Sequence, residues 1–162
     1  MRKVVLLAAI GLAACGGEPD AGEQDIIDQQ AISEVEQANA ASPPLEEVVP
    51  DPILYPDIER HDIYGATCSY APGTSLGARV IARQADAFMK IDGEIVRFAA
   101  DPGARQLAME TRSLYNSREY SLRLDLKGEP GEGGTLEGEI ALRDRYDRIV
   151  YRGTGAAQCG ET

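Results

Sequence analysis

The sequence predicts an all-β protein, built as a small antiparallel sandwich or barrel that is closed by one disulfide and preceded by a disordered acidic tether with a short helix. Two runs alternate apolar and polar residues as half-buried strands do, with apolar positions at Leu122, Leu124 and Leu126 and at Leu136, Ile140 and Leu142. The glycine-rich segment 128–134 between them is typical of a hairpin loop. No strong helical pattern interrupts the strand candidates, which favours antiparallel pairing.

The N-terminus resembles a lipoprotein targeting signal. Two cations precede an apolar run over residues 4–12, which is shorter than the roughly 20 residues of a membrane-spanning helix. Leu12-Ala13-Ala14-Cys15 resembles the lipobox of bacterial lipoproteins. The resemblance implies that residues 1–14 are removed and that Cys15 carries diacylglycerol and a further acyl chain such as palmitate. The alternative is an ordinary signal peptide with a cysteine near its cleavage site.

The same resemblance implies a location. Several acyl chains on Cys15 would hold the protein at the membrane without a transmembrane helix. In well-studied Gram-negative lipoproteins an aspartate after the cysteine retains the protein in the inner membrane. This chain has Gly16 there, so we expect the outer membrane, with the protein facing the periplasm.

Residues 15–59 are predicted to form a flexible tether. Twelve acidic residues and no lysine or arginine lie between Gly16 and Glu59, whereas the segment from Arg60 to Thr162 has 15 acidic and 14 basic residues. A chain of one charge sign stays extended, and it holds too few apolar residues to offset the entropy of folding. No basic tract is present to neutralise phosphates, so nucleic acid is not an expected partner.

A short helix is predicted within the tether at residues 25–39. Ile26, Ile27, Ala31, Ile32 and Val35 recur at helical spacing and predict an apolar stripe. The helix would bind a partner or another copy, dock on its own domain, or fray in water. Prolines 43 and 44 end it. Further prolines at 50, 52 and 56 keep the next strip extended, where its apolar residues can lie along the domain surface.

Residues 60–162 are predicted to form the β domain. Asp92-Gly93 is a strong hairpin signal, and centring the turn there pairs residue 89 with 96 and residue 87 with 98 on one face. Residues 88, 90, 95 and 97 then share the opposite face. The remaining strand candidates are 66–70, 79–83, 106–111 and 148–155.

Cysteine counting predicts the disulfide. With Cys15 lipidated, Cys68 and Cys159 remain near the two ends of the domain, in an oxidising compartment. A bond between them would join the first strand to the last. Two free thiols or a redox pair are the alternative, although no Cys-x-x-Cys motif is present.

The residues offer little for catalysis. His61 is the only histidine and has polar neighbours, so we interpret it as a solvated loop residue rather than a catalytic base. No zinc ligand set, calcium loop or phosphate-binding motif occurs in the sequence. We therefore expect neither enzyme activity nor a metal or other cofactor.

A candidate binding surface combines arginine and tyrosine, the residue types enriched at interface hot spots. Its members are Arg112, Tyr115, Arg118 and Tyr120. Such a face would bind an envelope protein or a glycan. The alternative is a solvated sheet face whose charges favour solubility and protect strand edges.

The domain also resembles the membrane-bound inhibitors of C-type lysozyme, which are lipoproteins with a small antiparallel barrel and a bracketing cysteine pair. Their Ser-Gly-x-x-Tyr inhibitory loop is missing, since the nearest stretch, 112–116, has Leu114 where glycine is expected. We expect a non-enzymatic binding or structural lipoprotein of the envelope. Lysozyme inhibition is the second hypothesis, and a carrier of small hydrophobic molecules is the third.

Overall fold

The computed structural model describes residues 21–40, 43–75, 77–128 and 134–161. The predicted signal segment 1–14 and Cys15 lie outside these described residues. The chain forms two compact units, Met1–Pro43 and Pro44–Thr162.

In the first unit the described residues include a helix, α1 (Ala21–Ala40), which is longer than the predicted 25–39. Its large apolar side chains are more than half exposed, at Ile26, Ile27, Ile32 and Val35. At 100° per residue, these positions and Ala31 spread over about 240° of the circumference, so the single apolar stripe expected from spacing does not form. No helix in the described ranges has the length and apolar character needed to cross a membrane.

The second unit is a closed barrel of eight antiparallel strands, in which each strand pairs with its neighbours in the sequence and β8 returns to β1. The fold class is therefore confirmed, with the barrel chosen over the sandwich. Its strands are β1 (Ala66–Pro72), β2 (Val80–Ala82), β3 (Asp86–Ile91), β4 (Glu94–Ala100), β5 (Leu114–Asn116), β6 (Tyr120–Lys127), β7 (Thr135–Asp144) and β8 (Ile149–Glu161).

The disulfide lies on the seam that closes the barrel. Cys68 on β1 stands directly opposite Cys159 on β8, with 4.1 Å between their Cα atoms. The predicted bond between the first and last strands is confirmed. It closes a chain separation of 91 residues, so it joins the two ends of the domain covalently.

The hairpin around Asp92-Gly93 has the predicted register. Met89 pairs with Val96 and Ala87 with Phe98, while Phe88 pairs with Arg97 on the opposite face. Both turn residues have positive φ, 50° and 81°, as the tight two-residue turn requires.

The strand predicted at residues 106–111 is wrong. This stretch lies in the connection between β4 and β5 and contains a 3₁₀ turn at Ala108–Glu110. Met109 and Glu110 both have left-handed backbone conformations, with φ of 51° and 58°, which a strand cannot contain. The segment instead lies at the end of the barrel where β2 meets β3 and β4 meets β5, here called the lower end. Its Thr111 is buried, and the Thr111 hydroxyl donates to Ala108 O at 2.7 Å.

The folded unit begins at Pro44, whereas the sequence predicted that the β domain begins at residue 60. Residues 44–54 form a strap across the upper end of the barrel, where β3 meets β4 and β7 meets β8. Strap backbone N–H groups donate to Val150 O, Lys90 O and Ala78 O at 2.8–2.9 Å. The charge pattern suggested a tether, but these bonds and the buried side chain of Ile53 make the strap part of the domain.

The strap leads into a short helix, α2 (Tyr55–His61), on the outside of the barrel. Ile63 follows the helix and is completely buried. Together with Ile53 it forms a second hydrophobic cluster with Ile81 and Phe88 from the outer face of β2 and β3. The helix therefore rests on a small core of its own, separate from the barrel interior.

Candidate functional site

The four residues of the predicted binding surface do not form one surface. Arg112 lies in the connection between β4 and β5, whereas Arg118 is exposed in the turn between β5 and β6, at the opposite end of the barrel. Tyr120 is half-buried against the core. Antiparallel connections alternate between the two ends of a barrel, so residues close in sequence are separated here.

Tyr115 is a core residue, which corrects its assignment to a surface. Its side chain is fully buried, and its hydroxyl accepts from Arg112 N at 2.6 Å and donates to Arg83 O at 2.8 Å. Burial raises the pKa of Tyr115, so the phenol stays protonated. The hydroxyl joins two connections at the lower end of the barrel and is not available to a partner.

The barrel interior is filled by its own side chains. The cluster lining it includes two tyrosines, a phenylalanine and a methionine together with leucines and isoleucines. Its largest fully buried members are Tyr70, Tyr115, Phe98, Met89, Leu122, Leu124, Ile140 and Leu142. An eight-stranded barrel is only just wide enough for such a filling, so the described interior residues leave no room for a sizeable ligand.

A polar cluster with a buried carboxylate lies outside the barrel, around Asp86. This side chain is only 1% exposed and stands between two guanidinium groups. Arg83 binds both carboxylate oxygens, with Nε to Oδ1 at 2.7 Å and Nη2 to Oδ2 at 3.0 Å. Arg97 donates from Nε to Oδ2 at 2.9 Å, and its Nη2 is 2.7 Å from the same oxygen. Burial raises the pKa of Asp86, but these two arginines outweigh burial and lower it overall.

The two arginines differ in how many of their N–H donors remain available to a ligand. Arg83 also donates to the carbonyl oxygens of Asp62 and Tyr64, at 3.0 and 3.3 Å, and so fixes the chain that follows α2. The side chain of Arg97 is 69% exposed. Of its five N–H donors, two point at Asp86, and the other three have no partner within the part of the chain that the structure describes.

A pocket of about 360 Å³ opens beside this cluster, between the end of α2 and the outer face of β3 and β4. Ile95 and the nearly buried Phe88 supply its apolar lining, and Arg97 supplies the N–H donors that remain unbonded. The lining residues are His61, Asp62, Arg83, Phe88, Ile95 and Arg97. Its volume falls within the range of small-molecule sites, about 300–1,000 Å³, but its lining is more polar than the mainly apolar lining of those sites.

Sequence reasoning did not find this pocket. Residues 88, 95 and 97 were correctly placed on one face, but α2 was not predicted, so nothing indicated that His61 and Asp62 would meet that face. His61 ends α2 and is exposed, as expected of a solvated residue. The arginines were visible as charged residues, and only the buried aspartate between them distinguishes this pair from the others.

A second pocket, of about 320 Å³, lies between the strap and the start of β8 and is lined mainly by Val48, Val49, Ile149 and Tyr151. It lacks a comparable charged cluster.

Within the described ranges, no three His, Cys, Asp or Glu side chains are placed to hold a metal ion. Comparison with protein-family models, with curated proteins and with solved structures finds no match to this chain.

Proposed function

We propose that this chain is a lipid-anchored lipoprotein of the bacterial cell envelope whose β domain binds a partner and has no enzymatic role. The observation that carries the proposal is the filled barrel interior, because it moves any ligand to the outer surface. The pocket beside Arg97 is a concave polar site on the described part of that surface. A carrier of hydrophobic molecules would need an empty interior, so we do not propose one.

The anchor in this proposal is Cys15, held in the outer membrane with the domain in the periplasm. The lipobox sequence supports the anchor, and Gly16 supports the outer membrane. The disulfide supports an oxidising compartment, because cytosolic thiols are normally kept reduced.

The anchor is tested by expressing the full chain in a Gram-negative host with radiolabelled palmitate. The wild-type chain is expected to carry the label and to sediment with membranes. Cys15→Ser should lose the label, whereas Cys68→Ser, which removes a different cysteine, should keep it. An unlabelled wild-type protein, or label retained by Cys15→Ser, would contradict the proposed anchor.

Lysozyme inhibition is the second candidate. A closed antiparallel barrel with a cysteine pair bracketing it is the architecture that the inhibitor resemblance implies, and this observation supports it. Burial of Tyr115 weighs against it, because the tyrosine of the stretch nearest to the inhibitory motif is not available to a partner. A turbidity assay with C-type lysozyme decides: inhibition at submicromolar protein supports this candidate, and full lysozyme activity removes it.

A further inference from the structure

We propose that the pocket beside Arg97 binds a single carboxylate carried on a small apolar group. This inference rests on the proposed binding role of the domain and specifies its ligand. The chemistry occurs in two sources, the C-terminal residue of a peptide and a free small carboxylic acid.

The donor for the carboxylate is the free edge of Arg97. Nε and Nη2 hold Asp86, so the edge formed by Nη1 and Nη2 remains open to the pocket. A guanidinium edge binds a carboxylate through two parallel hydrogen bonds. Asp86 is itself held by Arg83, which fixes the position of Arg97 before any ligand arrives. This preorganisation reduces the entropy that binding must overcome.

The charges of the pocket select a singly charged ligand. Two arginines face the carboxylates of Asp86 and Asp62, so the group is close to neutral as a whole. The pKa of Arg83 is raised mainly by its hydrogen bonds to Asp86, and the negative charge of Asp62 raises it further. A doubly charged phosphate would be repelled by these two carboxylates. One negative charge can be met by the free edge of Arg97.

The apolar part of the ligand is selected by the lining. Phe88 and Ile95 stand on neighbouring outward positions of β3 and β4, and Phe88 pairs directly with Arg97 across the two strands. Ile95 lies two residues from Arg97 on the same face of β4, so a carboxylate on Arg97 would place its attached carbon chain beside Ile95. Phe88 itself is only 3% exposed, and the Arg83 guanidinium lies 5.0 Å from the centre of its ring. The pocket volume, about 360 Å³, suits one small group and not an extended polymer.

The test is a titration of the isotope-labelled full chain, followed through the Ile95 methyl and Arg97 Nε signals. The probes are 3-phenylpropionate, its neutral amide, N-acetyl-alanyl-alanine and inorganic phosphate. At least one carboxylate probe is expected to shift both signals saturably, and the tighter of the two identifies the source. No saturable shift with either carboxylate, or equal or tighter binding of the amide or of phosphate, would overturn the proposal.

Variants separate the guanidinium from general surface charge. Arg97→Gln is expected to weaken binding of the carboxylate at least about tenfold, because it removes a charged bidentate contact. Arg97→Lys keeps the positive charge but loses the two parallel N–H donors of the guanidinium. Its affinity for the carboxylate should lie between those of wild type and Arg97→Gln. Arg123→Gln removes an arginine of similar exposure on β6 and should bind as wild type. Unchanged affinity in Arg97→Gln, with a dispersed spectrum that shows a folded barrel, would contradict the assignment, while the palmitate experiment tests the anchor separately.

Discussion

The ring of Tyr70 packs against the backbone of Gly138, so closely that a methyl group added to the glycine would lie 2.9 Å from Tyr70 Cδ2. Tyr70 stands on β1 and Gly138 on β7, on either side of β8. Further along, the Tyr70 hydroxyl reaches the backbone of Gly153 on β8. The glycines of β7 and β8 thus make room for a large aromatic side chain, which fills the barrel at its closing seam.

Gly138→Ala should therefore destabilise the domain. The added Cβ would meet the Tyr70 ring and, at 3.2 Å, Ala157 Cβ, and overpacking of this kind costs about 1–3 kcal/mol. Urea unfolding measures the change in free energy. Gly160→Ala on β8 is the control, because its Cβ would meet nothing within 4 Å. Equal stability of the two variants would contradict the close packing of Tyr70.

Removing the Tyr70 hydroxyl, in contrast, should not destabilise the domain. The group is buried, and no hydrogen bond of ordinary geometry joins it to any described residue. Burial, together with the neighbouring Tyr151, raises the pKa of Tyr70 to about 12. Because an unsatisfied buried hydroxyl is unfavourable, Tyr70→Phe is expected to leave the free energy of unfolding unchanged or raise it by up to about 1 kcal/mol.

Tyr115→Phe is the matched comparison, since it removes the same atom from another fully buried tyrosine. Here the lost hydroxyl leaves Arg112 N and Arg83 O without their partner. The expected loss is about 1–3 kcal/mol in urea unfolding. Losses of similar size in the two variants would contradict the difference in hydrogen bonding between them.

Acid should weaken the attachment of α2 through Asp57. Its carboxylate accepts from Leu54 N at 2.9 Å and from Lys90 Nζ at 2.9 Å, and these bonds lower its pKa below the ordinary 3.8. A carboxyl with a lowered folded-state pKa stabilises fully above its unfolded pKa, and this contribution disappears as the pH falls through the folded value. Asp57→Asn, which can still accept from Leu54, should be less stable by about 1–2 kcal/mol at pH 7.

The pH dependence of this difference is the measurement. Urea unfolding of wild type and Asp57→Asn should show the gap closing from about pH 4 downward, as the wild-type carboxyl takes up its proton. Asp147→Asn, at a side chain that is 87% exposed, should show little gap at any pH. A gap for Asp57→Asn that stays constant between pH 7 and pH 3 would show that the charge plays no part.

The disulfide should contribute a large share of the stability. A disulfide that closes a 91-residue separation lowers the conformational entropy of the unfolded chain. In the chain-entropy treatment this stabilises the folded state by about 4–5 kcal/mol. The double variant Cys68→Ala, Cys159→Ala is expected to lose about this amount in urea unfolding. Wild type measured with a reductant provides the parallel case. A loss below about 1 kcal/mol would mean that the seam between β1 and β8 is held by its hydrogen bonds and packing alone.

Local patterns in the sequence were sufficient for much of the barrel. Asp92-Gly93 fixed the register of β3 and β4, because a two-residue turn and a period of two leave one pairing that buries Met89 and Phe98. The disulfide followed from the number of cysteines and their compartment. The hairpin register depends only on residues close together in the sequence, and the disulfide is the one contact between distant segments that could be predicted.

The strap, α2 and the pocket could not be predicted in this way. Acidic residues and prolines between residues 44 and 59 are typical of a spacer, and the apolar partners of Ile53 and Ile63 include Ile81 and Phe88, which lie far from them in the sequence. Tyr115 lies among polar residues in the sequence, and its burial depends on hydrogen bonds to two separate connections. Such long-range contacts leave no periodic signal.

The central claim is that the barrel interior is filled and that binding takes place outside. Methyl spectra of the full chain during titration with 1-octanol, a small neutral hydrophobe, test it most directly. We predict no saturable shift of the methyl signals of Met89, Leu122, Leu124 and Ile140, which line the interior. Saturable shifts of these interior methyls would contradict the account and would make the domain a carrier.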